Sequence, residues 1–208
     1  MRMLRPLRLP WQGFVVLTRR GRTKKRRART SPGTKAGKAL PQSVGALRTQ
    51  LVGLLDWSEA HLSFDDVLRD WPEGLRGVKP TGAAPRLRSG LAHTAWQLVE
   101  HMRIAQWDIL EFSRNAKYVS PEFPSGYWPA TEAPPDASAW DASLAAFRAD
   151  LKAMQKLVSD PKADLFARIP HGEGQTILRE ALLVADHNAY HLGQLVMLRR
   201  LLGAWKGD

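Results

Sequence analysis

The fold class this sequence predicts is all-α: an up-and-down four-helix bundle behind a disordered basic N-terminal extension. Three observations predict it. Four long segments repeat apolar residues at intervals of three and four, no segment alternates with the period of a strand, and the excess positive charge lies before residue 44. Residues 1–43 hold thirteen Lys and Arg and no Asp or Glu, leaving 18 basic against 20 acidic residues in 44–208. The net charge of +11 therefore belongs to one segment, and the body is close to neutral.

The domains expected are thus 1–43, an extension, and 44–208, the bundle. Within the extension the apolar patch from Trp11 to Leu17 is too short for a membrane span or a secretory core, and no small-residue cleavage site follows it. The pair Arg19-Arg20 precedes more basic residues instead of the hydrophobic stretch that a twin-arginine signal needs. A nucleic-acid-binding arm, an organellar presequence and sequence upstream of the true start all remain open, the last favoured because nothing before Val44 has a core-forming period. Nucleic acid is not an expected partner, since the charge is not spread over a folded face. The chain has no cysteine, so disulfides, thiolate ligands and a cysteine nucleophile are excluded, and a cytoplasmic location without membrane attachment is the expectation.

Taken in order, residues 46–62 place Leu47, Leu51, Leu54, Leu55 and Trp57 mostly at helical spacing and predict the first helix. Ser63 is set to cap a short helical turn through Leu68. Gly and Pro break 71–90 into a loop. Thr94 and Gln97 have capping-box spacing ahead of the stripe Leu98, Met102, Ala105, Ile109 and Phe112, which predicts a second helix up to Ser113-Arg114-Asn115. The run YVSPEFPSGYWPATEAPP carries five prolines among aromatics and reads as a long packed crossover. Asp136 then caps a third helix bearing Trp140, Leu144, Phe147, Leu151, Met154 and Leu157, stopped by Asp160-Pro161. Thr176 caps the fourth, which runs to Gly203. Helices of roughly 17 to 27 residues suit an up-and-down bundle.

Six histidines occur. His187 and His191 stand four apart in a helical stretch, so their side chains leave one face about 6 Å apart and can close on one ion. Two exposed or capped histidines are the bland alternative. Val184, His187, His191, Leu195 and Leu198 follow steps of three and four, which turns both imidazoles inward. There an unpaired nitrogen costs roughly 1–3 kcal/mol and a metal supplies the missing partner. His101 sits about nine residues into the second helix and His187 about eleven into the fourth. At ~1.5 Å per residue they can meet at one level if the two helices run the same way.

The combination of EHMRIAQWDIL with DHNAYHLGQLVMLRRLLGAW resembles the DinB-like superfamily of metalloenzymes, over essentially residues 44–208. That resemblance implies a four-helix bundle and a histidine triad with open coordination positions, holding a divalent metal ion, zinc or nickel first. Carried onto this chain, the triad is His101, His187 and His191. Some relatives are transferases or isomerases using a low-molecular-weight thiol and others are hydrolases. The expected function is accordingly a metal-dependent transferase on such a thiol or a hydrolase, acting on a small molecule, with a non-catalytic metal-binding bundle of structural or sensory role as the alternative. A homodimer through an exposed stripe is compatible with it.

Other polar residues are candidates of lower rank. His171 lies in a glycine-flanked loop before the fourth helix and is a candidate fourth ligand or acid-base group. Gln194, three past His191, and Asp108, seven past His101, are candidates to line the pocket or orient an imidazole, Asp108 being ~10 Å too far along its helix to be a ligand. His93 is expected at the surface or a loop, and His61 at the end of the first helix, where a cation suits the dipole. Tyr190, Trp96, Trp107, Tyr127 and Trp128 read mostly as core and crossover packing.

Overall fold

The structure, a computed structural model, describes residues 41–57, 60–80 and 93–205, and the expectation of a disordered extension falls on residues outside these except at its last three. The described chain is helical: α1 (Pro41–Asp56), α2 (Phe64–Leu68), α3 (Ala95–Arg114), α4 (Ala139–Ser159) and α5 (Ile177–Leu201). Among the described residues there is no strand, and one isolated bridge joins Arg168 to Thr176. No helix among them is long and apolar enough to cross a membrane.

Local chemistry sets most of the ends. Ser63 caps α2 and Thr94 caps α3, each in a reciprocal capping box with the residue three positions on, Asp66 and Gln97. Thr176 caps α5, and Gly203 takes φ +66 just past its end, a conformation that costs glycine little. At α4 the expectation needs a small correction. Ser138 is the N-cap, and Asp136 does the capping from two residues upstream, its Oδ1 accepting from the backbone N–H of Ser138 and of Ala139.

The first helix is displaced from its expected position. It runs from Pro41 to Asp56 instead of 46–62, beginning inside the segment that charge sets apart. Proline is tolerated in a first turn because its missing N–H would have no helical acceptor there. Trp57, with φ 52, leaves the helical region and ends the element. His61 consequently lies in the connection to α2, not at a helix end, and the dipole argument for it lapses.

Packing places α3 at the centre. It lies against both α4 and α5, α1 lies against the same two helices, and α2 rests on α5. The shared core includes Leu51, Leu55, Met102, Phe147, Met154 and Leu195, each at most 3% exposed. Phe147 stacks on Phe64 with centroids 3.9 Å apart, tying α2 to α4. Two arginines fasten the periphery. Arg48 donates to the carbonyls of Val158 in the last turn of α4 and of Ala163 just beyond it, and buried Arg199 donates to the carbonyls of Val67 in α2 and of Arg69, its C-cap. The crossover from α3 to α4 is anchored at Tyr127 but otherwise mostly exposed, not packed as expected, and holds one short 3₁₀ turn, Ser125–Tyr127, that the proline density did not suggest. A Cβ at Gly126 would stand 2.7 Å from Pro121 Cβ, so that turn closes only on glycine.

Candidate metal centre

The seam between α3 and α5 brings three imidazoles together. His187 and His191 lie one turn apart on the buried stripe with Val184, Leu195 and Leu198, and His101 meets them from α3. The ring centroids are 4.5 to 5.0 Å apart, and one nitrogen from each ring lies within 4.8 Å of the others. The rings are 7 to 9% exposed. The two helices run in opposite directions, Leu98 near the start of α3 meeting Leu198 and Leu201 near the end of α5 and Phe112 meeting the loop before α5, so the equal-depth expectation, which needs the same direction, does not hold and the rings meet through antiparallel packing.

Burial and hydrogen bonding decide the protonation state. Burial, opposed by the Tyr127 carbonyl and reinforced by His191, pushes His101 down to about 4. Burial together with the two neighbouring rings pushes His187 down to about 3, and burial lowers His191 against the pull of Gln194. All three rings are therefore neutral near pH 7, each with one nitrogen lone pair. His101 Nδ1–H donates to the Tyr127 carbonyl at 2.8 Å, and His191 Nδ1–H donates to Gln194 Oε1 at 2.8 Å. In both rings the lone pair is thus on Nε2.

His187 Nε2 stands 3.1 Å from His101 Nε2. Two imidazoles bound to one ion at 2.0–2.1 Å have nitrogens about 3.0–3.4 Å apart, so the spacing suits a ligand pair, as it also suits a hydrogen bond from one ring to the other. With its proton on Nδ1, His187 adds a second lone pair to that of His101, the arrangement a cation takes. The donor set fits a divalent ion of the borderline kind, and three nitrogens leave part of a tetrahedral shell to other donors. These three residues could hold a metal ion.

Aromatic residues enclose the site. Trp128 stacks on His101 with centroids 3.9 Å apart and planes 1° apart, and on His93 at 4.0 Å. Tyr190, two-thirds exposed, meets His191 edge-on. Beside Gln194 and His93 lies a cleft of about 350 Å³ walled by Leu98, Tyr190, Met197 and Leu201.

The lower-rank candidates separate. Gln194 touches the triad directly. Asp108 is a further bond away, accepting from the Tyr127 hydroxyl at 2.7 Å, and burial beside this carboxyl pushes the Tyr118 phenol above its ordinary range. His171 is exposed, its Nε2–H donating to the Phe112 carbonyl at 2.7 Å, eleven residues or about 16 Å along α3 from His101. Its loop packs on the far end of α3 instead of folding over the triad. His93 is exposed and outside the triad, as expected. Tyr127 and Trp128, read from sequence as packing, are its immediate neighbours. Their one sequence signal is the glycine turn before them.

The family model for the DinB superfamily matches residues 11–195, beginning within the basic segment. No curated protein and no solved structure matches the chain.

Proposed function

The chain belongs to the DinB superfamily, and from that premise we propose that it is an enzyme holding one divalent ion, zinc or nickel, through His101, His187 and His191. The observation that carries the reading is the 3.1 Å approach of two imidazole nitrogens beside a third, on rings kept neutral by burial. An ion bound by three neutral ligands keeps its full charge and acidifies a coordinated water or thiol. We read α1, α3, α4 and α5 as a four-helix bundle. The bond from Arg48 near the start of α1 to Val158 near the end of α4 sets those two helices antiparallel, and Glu100 with Ser143 and Gln106 with Phe147 run α3 and α4 the same way, so the order departs from strict up-and-down alternation across the long crossover.

The proposed reaction is transfer involving a low-molecular-weight thiol. The chain holds no cysteine, so a reactive sulfur has to arrive with a co-substrate. The residues would divide the work simply. Gln194 and Tyr127 hold two rings in the required tautomer, Trp128 shields one face of His101, and the apolar walls beside Gln194 exclude water from a small substrate. Hydrolysis is the second reading, since the same acidified position serves water.

Cobalt substitution tests the proposal. Added thiol is expected to produce a sulfur-to-metal charge-transfer band that disappears in His191→Ala. Cleavage of an amide or ester without any thiol band would favour hydrolysis, and a spectrum indifferent to thiols and substrate analogues would leave a closed, non-catalytic site.

A further inference from the structure

One tyrosine lies along α3 and joins the triad to a buried carboxyl. Its carbonyl accepts from His101 Nδ1–H, and its hydroxyl donates to Asp108 Oδ2. The two α3 residues it joins are seven apart, two turns or about 10 Å along the helix. Tyr127 is 1% exposed, Asp108 4% and His101 7%, so water does not compete for these bonds.

The two ends of the tyrosine have different effects. At the His101 end, the carbonyl accepts from a ring N–H whose direction is fixed by the imidazole, so the bond sets both the rotation of the ring and the nitrogen that carries the proton. Trp128, the next residue, stacks flat on the same ring and opposes tilting. At the Asp108 end, the carboxyl has few choices of donor. Its Oδ1 and the Tyr118 hydroxyl stand close enough to interact but fall short of a well-formed hydrogen bond, and burial with this carboxyl pushes the Tyr118 phenol up. The Tyr127 hydroxyl is the donor it holds. A buried acceptor in that position resists giving up its donor, and through the tyrosine it resists movement of the carbonyl on His101.

We propose that Asp108 is a positioning residue for His101, acting through Tyr127 to fix the Nε2 lone pair toward His187. The inference rests on the proposed metal site for its affinity effect, but the tautomer it predicts is a property of the metal-free chain. It also gives Asp108 a role at the triad without making it a ligand.

The test uses the full chain and four substitutions. Tyr127→Phe removes the donor, and Asp108→Leu with Tyr127→Phe removes donor and acceptor together, leaving neither unpaired if the single variant folds poorly. Asp108→Asn keeps a carbonyl oxygen for the hydroxyl. Ser113→Ala, which deletes another buried α3 bond at Ile109 O, controls for general loosening. In metal-free protein the ring 15N shifts of His101 are expected to show one Nδ1–H tautomer in the wild type, Asp108→Asn and Ser113→Ala, and a mixture in the other two. With zinc alone in chelator competition, those two are expected to bind about 10- to 100-fold more weakly. Folded Tyr127→Phe or double variants that keep both the tautomer and the zinc Kd would overturn the proposal. So would Asp108→Asn losing the tautomer as fully as the double variant. A wild type that takes up no zinc defeats the metal reading, and the tautomer measurement still decides this one.

Discussion

Two buried polar clusters lie side by side between α3 and α5 and are built on opposite principles. In one, Asn188 Nδ2 donates to Gln106 Oε1 and Gln106 Nε2 donates to the Phe147 carbonyl, so donors meet acceptors and α3, α4 and α5 are tied together. In the other, His101, His187 and His191 point ring nitrogens at one another while their outer nitrogens, at His101 and His191, are spent on Tyr127 and Gln194. His187 and Asn188 are sequence neighbours, so the chain switches from one principle to the other within a single peptide unit. The amide cluster spends both of those donors on protein acceptors, with Asn188 Oδ1 left buried and without a donor in hydrogen-bond geometry among the described residues. The imidazole cluster gathers acceptors at one point, which makes sense for a cation and is poor design for stability alone.

The sharpest way to break this contrast is to remove a ring. His187→Ala is expected to abolish stoichiometric metal binding, while His93→Ala and His171→Ala leave it intact, as measured by metal analysis of protein purified without a histidine tag. Equal metal content across the three would end the distinction between the clusters. Acid is expected to act on the imidazole cluster next. His101 and His187 titrate at about 4 and about 3 when folded, below the ordinary 6.5, so the unfolded chain takes up their protons first. Stability of the metal-free protein is therefore complete above pH 6.5 and declines as pH falls toward 4 and then 3. The urea midpoint followed over that range should show the decline, and His101→Leu with His187→Leu should flatten it. A midpoint that rises with acid would contradict the depressed values. The smallest effect is expected at the amide cluster. Gln106→Leu strands Asn188 and the Phe147 carbonyl and should cost about 1–3 kcal/mol in denaturant unfolding with metal content unchanged. Loss of metal in that variant would mean the two clusters are one unit.

The helices were legible because their signals are local. Thr94 with Gln97, Ser63 ahead of the short helix to Leu68, and Gly203 are short-range devices, and each stands where the sequence placed it. Displacement occurred where the determinant is a backbone choice with no residue signature, as at Trp57, which ends α1 early and moves His61 out of the helix. The pairing of His187 with His191 is also a local fact, since four residues on a helix are one turn. Their meeting with His101 was inferred from equal depth on helices running the same way, yet the structure reaches it with α3 and α5 running opposite ways, because the long crossover and the packing, not helix length, set the direction.

By itself, then, the sequence determined the helical periodicity, the caps, the inward stripe of α5 and the absence of any protein thiol, all consequences of composition and spacing within a turn or two. Only the tertiary structure decided which nitrogen of His101 bears the proton, that Tyr127 and Trp128 grip its ring, that Asp108 reaches it by way of a tyrosine, and that His171 is attached to the far end of α3. Those contacts join residues brought together by a proline-rich crossover and a glycine turn, where no periodic pattern records which side chain will face which helix, and a hydrogen bond exists only once both partners have been placed.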